Sequence, residues 1–503
     1  MSHERTAFPP LVHVIHSNTF ARGSSIQSPN CSGCFNRRRF LGFLAGVAGA
    51  GVLPPGTGWA SAEPQSVTGA KTRIRLVFSH HRDDAAGKQS EAGWPFLGYD
   101  CAERKKQLQA QLQQSCPGIE FLPATAYSAE DARKLLETDR EVDGYLVYML
   151  GGWATAGQTI AAAGRPVIYA GDLYGASGEF LVATAEARRK GWQAIGVTSS
   201  RFADLVDALR CFETIKKLKA ARILVVGAPA GPVGKAIEEI FGTKIIAIDF
   251  PEINAAYAQA ERAKARDLAR QWMKQARRVI EPTRAEIEKS AAMCLAMRHL
   301  MEAHQTQAIT INCLGGFYSG HMEAYPCLGH CQLNNDGLVG ACEADLQSTL
   351  TMLLMGYLAG RPGYISDPVI DTATNRVIYL HCVAPTKVFG PKGQVNPYDI
   401  RSHAEDRKGA SVRSLMPLGH LTTTLQIAPT RREIIFHQAT TVANVDDPHS
   451  CRTKLAAEVK GDIQKLLNYW DQWGWHRVTF YGDYRLALSQ ISALLGFKLT
   501  EEA

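Results

Sequence analysis

The strongest constraint on this chain is an alternation of short apolar runs with helical stretches. Residues 73–79, 144–150 and 166–170 are runs of strand length, rich in Val, Ile, Leu and Tyr, and the last two end in Gly151-Gly152-Trp153 and Gly171-Asp172. Between them, residues 102–114 and 129–138 carry apolar positions at helical spacing. Strands that alternate with helices need crossover connections, so they build a parallel sheet with helices on its faces. The pattern then repeats: 194–197 (a possible strand), helix 201–219, strand 221–227, helix 235–241 and strand 244–248, followed by a long charged helical segment 255–304 and strand 308–312. The polar and Gly-rich residues fall after strand C-termini, where open α/β sheets gather ligand-binding groups. Trp153, Asp172 and Tyr174 stand at such ends.

Beyond about residue 375 the grammar changes. Segments 376–381, 420–427 and 433–439 are β-rich and separated by Pro and Gly loops, which predicts a small antiparallel unit or barrel, and strand 477–480 with helix 484–495 closes the chain. The expected fold class is therefore α/β: two N-terminal Rossmann-like domains (63–190 and 191–330) and a C-terminal region (331–503) containing a small antiparallel β-barrel. A length of 503 residues agrees with about three such units. Gly227, Gly231 and Gly234 lie between a strand and a helix, but their spacing is not that of a dinucleotide fingerprint, and Gly234-Lys235 is followed by Ala rather than Ser or Thr. Close strand–helix packing accounts for them, and no nucleotide cofactor is expected.

Residues 1–62 read as a leader. Asn36-Arg37-Arg38-Arg39-Phe40-Leu41-Gly42 precedes an uncharged run to about Leu53, then Pro54-Pro55 and the small-residue pattern Ala60-Ser61-Ala62. A basic start, a short apolar run and a small-residue site describe a secretory signal, and arginines before Phe-Leu resemble the twin-arginine (Tat) type that carries folded proteins, with Asn36 where Ser is usual and Gly42 where Lys is common. The expectation is export through the Tat machinery to the periplasm or cell exterior. This leader holds five arginines and one glutamate, so it supplies most of the formal charge of +7. The rest is nearly neutral, and without a concentrated basic patch no nucleic-acid partner is expected.

Two of the twelve cysteines, Cys31 and Cys34, lie in the leader. Cys313, Cys327, Cys331, Cys342 and Cys382 cluster, yet Cys327 and Cys331 lack a second tightly spaced pair, so buried thiols are expected rather than a zinc knuckle.

Standard catalytic motifs are absent: the chain has no H-E-x-x-H helix, nucleophile elbow or EF-hand loop. Instead, polar residues sit at element ends within apolar sequence. Glu343 and Asp345 open an amphipathic run continuing through Leu346, Leu350 and Leu354, which reads as acids in the first turn of a helix. Asp367 follows a short strand and precedes Pro368, and His381 ends the strand after a turn at 372–375. Two carboxylates and an imidazole at such termini can converge without disturbing a core.

The order Pro326-Cys327-Leu328, Leu333-Asn334-Asn335-Asp336-Gly337, Ala341-Cys342-Glu343-Ala344-Asp345, Ser366-Asp367-Pro368, His381-Cys382-Val383-Ala384-Pro385 and Gly474-Trp475-His476 resembles the core and C-terminal histidine segment of the L-fucose isomerase and L-arabinose isomerase-like family. That resemblance implies a metal-dependent aldose–ketose isomerase. Glu343, Asp367 and His476 would hold a divalent cation, with His381 as a further ligand. Glu343 and Asp367 would also be the acid/base carboxylates that move a proton through an enediolate. Mixed oxygen and nitrogen ligands favour Mn²⁺, with Mg²⁺, Co²⁺ or Zn²⁺ as alternatives. It further implies a sugar substrate and a homo-oligomer, a trimer or hexamer. Three residues or segments depart from the pattern: Trp475 stands where the family commonly has the first of two histidines, residues 401–406 form a different loop, and the leader implies export. An exported sugar-binding or sensing protein without turnover, and an epimerase or lyase using the same enediolate, are the competing readings.

Overall fold

A computed structural model describes residues 71–81 and 99–503, so the leader and its Tat reading lie outside the described residues. The first layer is a five-stranded parallel sheet made from β1 (Thr72–Ser79), β2 (Ile119–Ala126), β3 (Gly144–Met149), β4 (Val167–Gly171) and β5 (Ala194–Val197) in the order β2-β1-β3-β4-β5. This is one of the common doubly wound orders. β3 is buried along its whole length, as a central parallel strand must be when helices cover both faces. β5, which the sequence grouped with the following layer, instead pairs with β4, because helix Ser177–Lys190 makes the crossover that returns the chain to this sheet.

The second layer has β6 (Arg222–Val226) and β7 (Lys244–Ile248). A two-residue strand β8 (Arg278–Val279) leaves this layer, and β9 (Ala308–Ile311) and β10 (Val339–Cys342) complete it in the parallel order β10-β9-β6-β7. The helical segment expected at 255–304 is three helices, Phe250–Gln259, Arg262–Gln275 and Arg284–Ala303, with β8 between the last two. The helix stops before Arg277 and Arg278, whose guanidiniums both pair with the fully buried carboxylate of Asp399, and Pro282 lies just before the next helix. Thr283 and Glu286 form a reciprocal capping box at the start of that helix.

Antiparallel structure follows in β11 (Tyr364–Asp371), β12 (Arg376–His381), β13 (Tyr398–Arg401), β14 (Ser411–Ser414), β15 (Leu421–Ala428), β16 (Glu433–Asn444), β17 (Thr453–Lys460), β18 (Arg477–Tyr481) and the terminal β19 (Lys498–Glu501). Strand order β15-β18-β11-β12-β17-β16 closes through a β15–β16 pairing into a six-stranded barrel, and β19 adds in parallel to β16. Helix Leu346–Ala359 docks against this barrel: Thr351 Oγ1 accepts the Ile427 backbone N–H at 3.0 Å, and Gln426 donates to Ser348 Oγ at 3.1 Å. The α/β class with a C-terminal barrel is therefore the architecture observed.

Two local readings change. Asp367 is not at a strand end: β11 runs on through Pro368. Ser366 is the last β11 residue opposite β18, so from Asp367 onward only β12 pairs with the strand and the missing Pro N–H is tolerated. Glu343 is not in a helical first turn either, because the helix starts at Leu346 with Asp345 as its N-cap. Among the described residues no helix is long and apolar enough to cross a membrane.

Candidate active site

Strand register brings the four predicted side chains together. Ser366 lies opposite Arg477 and Asp367 opposite Leu380, so His476, immediately before β18, and His381, the last residue of β12, come beside Asp367. Glu343 arrives from the carboxyl edge of the second sheet, directly after β10. It and Ala344 have φ of 64° and 53°, the left-handed region that side chains disfavour. The turn is held by the Ala344 N–H donating to Ile311 O at 2.9 Å and by the Asp345 cap immediately after it. Two such residues together store roughly 2–6 kcal/mol of strain, which persists only where the surroundings enforce it.

The cluster is tight. His476 Nε2 lies 3.2 Å from Asp367 Oδ1 and 3.5 Å from Glu343 Oε2, while His381 Nε2 lies 3.5 Å from Glu343 Oε1. Both histidines are buried and neither Nε2 has a hydrogen-bond partner. A buried polar atom is almost always satisfied, so two unsatisfied nitrogens beside carboxylates form a donor set that fits a cation. Cys342 Sγ also lies within reach of Glu343 and His381.

The two histidines present different faces. His476 Nδ1 lies 3.0 Å from Asp345 Oδ2, so that nitrogen carries a proton, and in the neutral ring Nε2 is the nitrogen whose lone pair faces the cluster. This is the carboxylate–histidine arrangement that orients metal-ligating imidazoles. His381 Nδ1 accepts the Cys382 backbone N–H at 2.9 Å, which puts a neutral ring's proton on Nε2, facing Glu343. His381 therefore suits a ligand role only in its other tautomer.

Electrostatics follow from these contacts. Burial opposes the Glu343 charge, but the imidazoles of His381 and His476 outweigh it and hold the carboxyl well below the usual range. Asp345 is likewise lowered: burial opposes, while His476 and Ser348 prevail. Burial disfavours the imidazolium of His476, yet Asp345, Asp367 and Glu343 push its pKa well above the ordinary histidine value, and His381 moves the same way beside Glu343 and Asp367. Nearby His330 is fully buried without a partner for either ring nitrogen, and burial followed by the charge of His381 pushes it down to about 3, so it stays neutral.

No family model matches the chain. A sulfoquinovose isomerase of Alkalicoccus urumqiensis is 25% identical over 194 residues, 36% of this chain and 42% of that protein. Another, from Clostridium sp. (strain MSTE9), is 24% identical over 318 residues, 57% of this chain and 66% of its own length. A third, from Priestia aryabhattai, is 29% identical over 100 residues, 20% of this chain and 22% of that protein. The chain is thus a distant relative of proteins bearing that name, and the aligned part spans less than half of the first of them.

Asp345 is the residue whose role sequence reasoning missed. An acid before an amphipathic run reads as a helix cap, and it is one: Asp345 accepts from Gln347 N at 2.9 Å, Ser348 N at 3.1 Å and Ser348 Oγ at 2.6 Å. Its second task, holding His476, crosses 131 residues and leaves no local signal. Trp475 departs from the family pattern with an indole suited to stack on a sugar face or to fill the pocket a larger sugar would need; the hydrogen bond from its N–H to Asp367 Oδ1 at 2.6 Å leaves no signal in the sequence. Beneath the cluster, Arg477 is fully buried, paired with Glu502 at 3.0 Å, and donates to the carbonyls of His476 and Gly474 at 2.9 and 3.0 Å. The residues at the strand ends of the first sheet do not join. Asp172 accepts from Tyr99 and Arg104, and Trp153 and Tyr174 are exposed at the edge of the first sheet. Cys313, Cys327, Cys331, Cys342 and Cys382 are buried, as expected of apolar thiols.

Proposed function

We propose that this chain is a metal-dependent sugar isomerase that interconverts an aldose and a ketose by carboxylate-mediated proton transfer through an enediolate. The observation carrying this reading is the convergence of Glu343 and Asp367 on one unsatisfied imidazole nitrogen, 3.5 and 3.2 Å from it. The distant relatives named sulfoquinovose isomerase support the same reading.

In this mechanism one carboxylate removes the proton from the carbon beside the carbonyl and returns it to the neighbouring carbon, while the other serves the hydroxyl proton. The lowered Glu343 is ionised near neutrality and so available as ligand and acceptor. Asp345 fixes the His476 ring, and His381 Nε2–H faces Glu343. The donor set fits a divalent cation, Mn²⁺ before Mg²⁺, Co²⁺ or Zn²⁺, held by Glu343, Asp367 and His476, with His381 joining in its second tautomer. When bound, that cation supplies positive charge beside the developing oxyanion. The reading also carries Tat export to the periplasm or cell exterior and a homotrimeric or hexameric assembly, both taken from the sequence.

The test is solvent exchange: the purified protein, with Mn²⁺ and with chelator, is incubated with a panel of aldoses including sulfoquinovose in D₂O. Deuterium at C1 or C2 with a ketose product supports the isomerase. A C2-inverted aldose as the product would replace it with an epimerase, and bound sugar without exchange would leave a binding protein.

A further inference from the structure

We propose that Trp475 is a positioning and specificity residue of this site: its indole N–H pins the Asp367 carboxylate while its exposed ring forms the wall on which the apolar C–H face of a sugar stacks. This rests on the isomerase reading above. Trp475 is 63% exposed, although the side chains on either side of its segment are buried. An exposed indole would ordinarily be free to turn, yet this one is fixed. Its N–H donates to Asp367 Oδ1 at 2.6 Å, and its carbonyl accepts the Trp470 indole N–H at 2.7 Å. Gly474 before it has φ of 94°, a conformation open to glycine, and Arg477 holds the Gly474 carbonyl from below. Backbone and ring are therefore both immobilised at the mouth of the cluster.

Trp475 N–H and His476 Nε2 both meet Asp367 at Oδ1, so Oδ2 is the oxygen engaged by neither. Hydrogen bonds to a charged acceptor are stronger than neutral ones, and a ligating carboxylate held this way loses alternative rotamers. The ring offers a broad apolar face beside polar groups, the combination that binds a sugar by its C–H face and orients it by its hydroxyls.

Two substitutions separate the roles. Trp475→Phe keeps an aromatic face and deletes the donor. Trp475→His keeps a donor, because histidine Nε2 occupies the ring position of indole Nε1, but deletes the six-membered ring. The proposal expects Trp475→Phe to lower kcat about tenfold or more with KM nearly unchanged, and to weaken Mn²⁺ binding about tenfold. It expects Trp475→His to recover most of kcat and of the Mn²⁺ affinity while raising KM several-fold. Equal kcat and equal Mn²⁺ affinity in Trp475→Phe and the parent would overturn it, as would a Trp475→His variant as impaired in kcat as Trp475→Phe. Circular dichroism of each variant excludes misfolding as the cause. If the parent turns over no aldose, the isomerase reading fails by itself, and Mn²⁺ affinity in the Phe and His variants still decides whether the indole N–H positions Asp367.

Discussion

Asp345→Asn isolates the carboxylate that orients His476. Asparagine is as good an N-cap as aspartate, so it can keep accepting from Gln347 N and Ser348 N and the helix start is preserved to within a few tenths of a kcal/mol. What changes is the second oxygen, which accepts from Ser348 Oγ at 2.6 Å and meets His476 Nδ1 at 3.0 Å. With the amide oxygen kept at the cap, the second atom becomes an NH2 donor, so a charge-assisted hydrogen bond worth about 1.5–3 kcal/mol is exchanged for a neutral one nearer 1, which forms only when the imidazole gives up its Nδ1 proton and accepts from the amide. The expected destabilisation is therefore about 1–2 kcal/mol, a fall in Tm of about 1–2 °C for a chain of this size. Metal binding should suffer more, because an imidazole free to rotate or to put its proton on Nε2 no longer offers a lone pair, and loss of such outer partners weakens metal about 10–100-fold. Calorimetric titration with Mn²⁺ beside a thermal melt reads both. Asp345→Ala should bind Mn²⁺ as weakly and melt lower still, because it also removes the cap. An Asn variant that binds Mn²⁺ within twofold of the parent, alongside a His476→Asn variant that does not bind it, would refute the orienting role.

Glu343→Gln and Asp367→Asn should each reduce hydrogen exchange at the sugar carbon by about 10²–10⁴-fold with far-UV circular dichroism unchanged; residual exchange above a tenth of the parent rate in either would contradict an acid/base role. The metal-free protein should be most stable between about pH 5 and 6.5. Glu343 and Asp345, lowered on folding, contribute above the ordinary carboxylate range and lose that contribution as pH falls, whereas His381 and His476, raised on folding, contribute fully below about 6.5 and lose it as pH rises through their folded values. Mn²⁺ must displace the protons from those imidazoles, so its affinity should climb with pH; a metal-free melt peaking above pH 8, or proton-independent Mn²⁺ binding in two buffers, would be inconsistent with the cluster. Glu502→Gln should leave Arg477 charged and unpaired inside the barrel at a cost of about 3–5 kcal/mol, and an unchanged melting temperature would remove Arg477 as the anchor beneath His476.

The parts of this molecule that could be read from sequence are those whose causes are local. Four strands of the first layer, β1, β3, β4 and β5, lie within a residue or two of the apolar runs in the sequence, and the β15–β16 hairpin is short-range, whereas β2, half-buried or exposed along most of its length and interrupted by Pro123, left no such run. Strand β17 left no such trace: its sequence, TKLAAEVK, favours helix by composition and is a strand only because β12 and β16 lie on its two sides. The same division runs through the site. Glu343, Asp367, His381 and His476 were picked out by their order along the chain, yet the local structure assigned to two of them was wrong where the site imposes its own geometry. Propensity puts Glu343 in a helix, but the site needs it one turn earlier in a left-handed bend, aimed at two histidines from another layer. Proline argues for ending β11 at Asp367, but β18 stops pairing there, and that gap at the barrel edge is where Trp475 and His476 reach the carboxylate. Local rules broken at the positions where carboxylates and imidazoles converge are what selection for a site, rather than for stability, leaves behind.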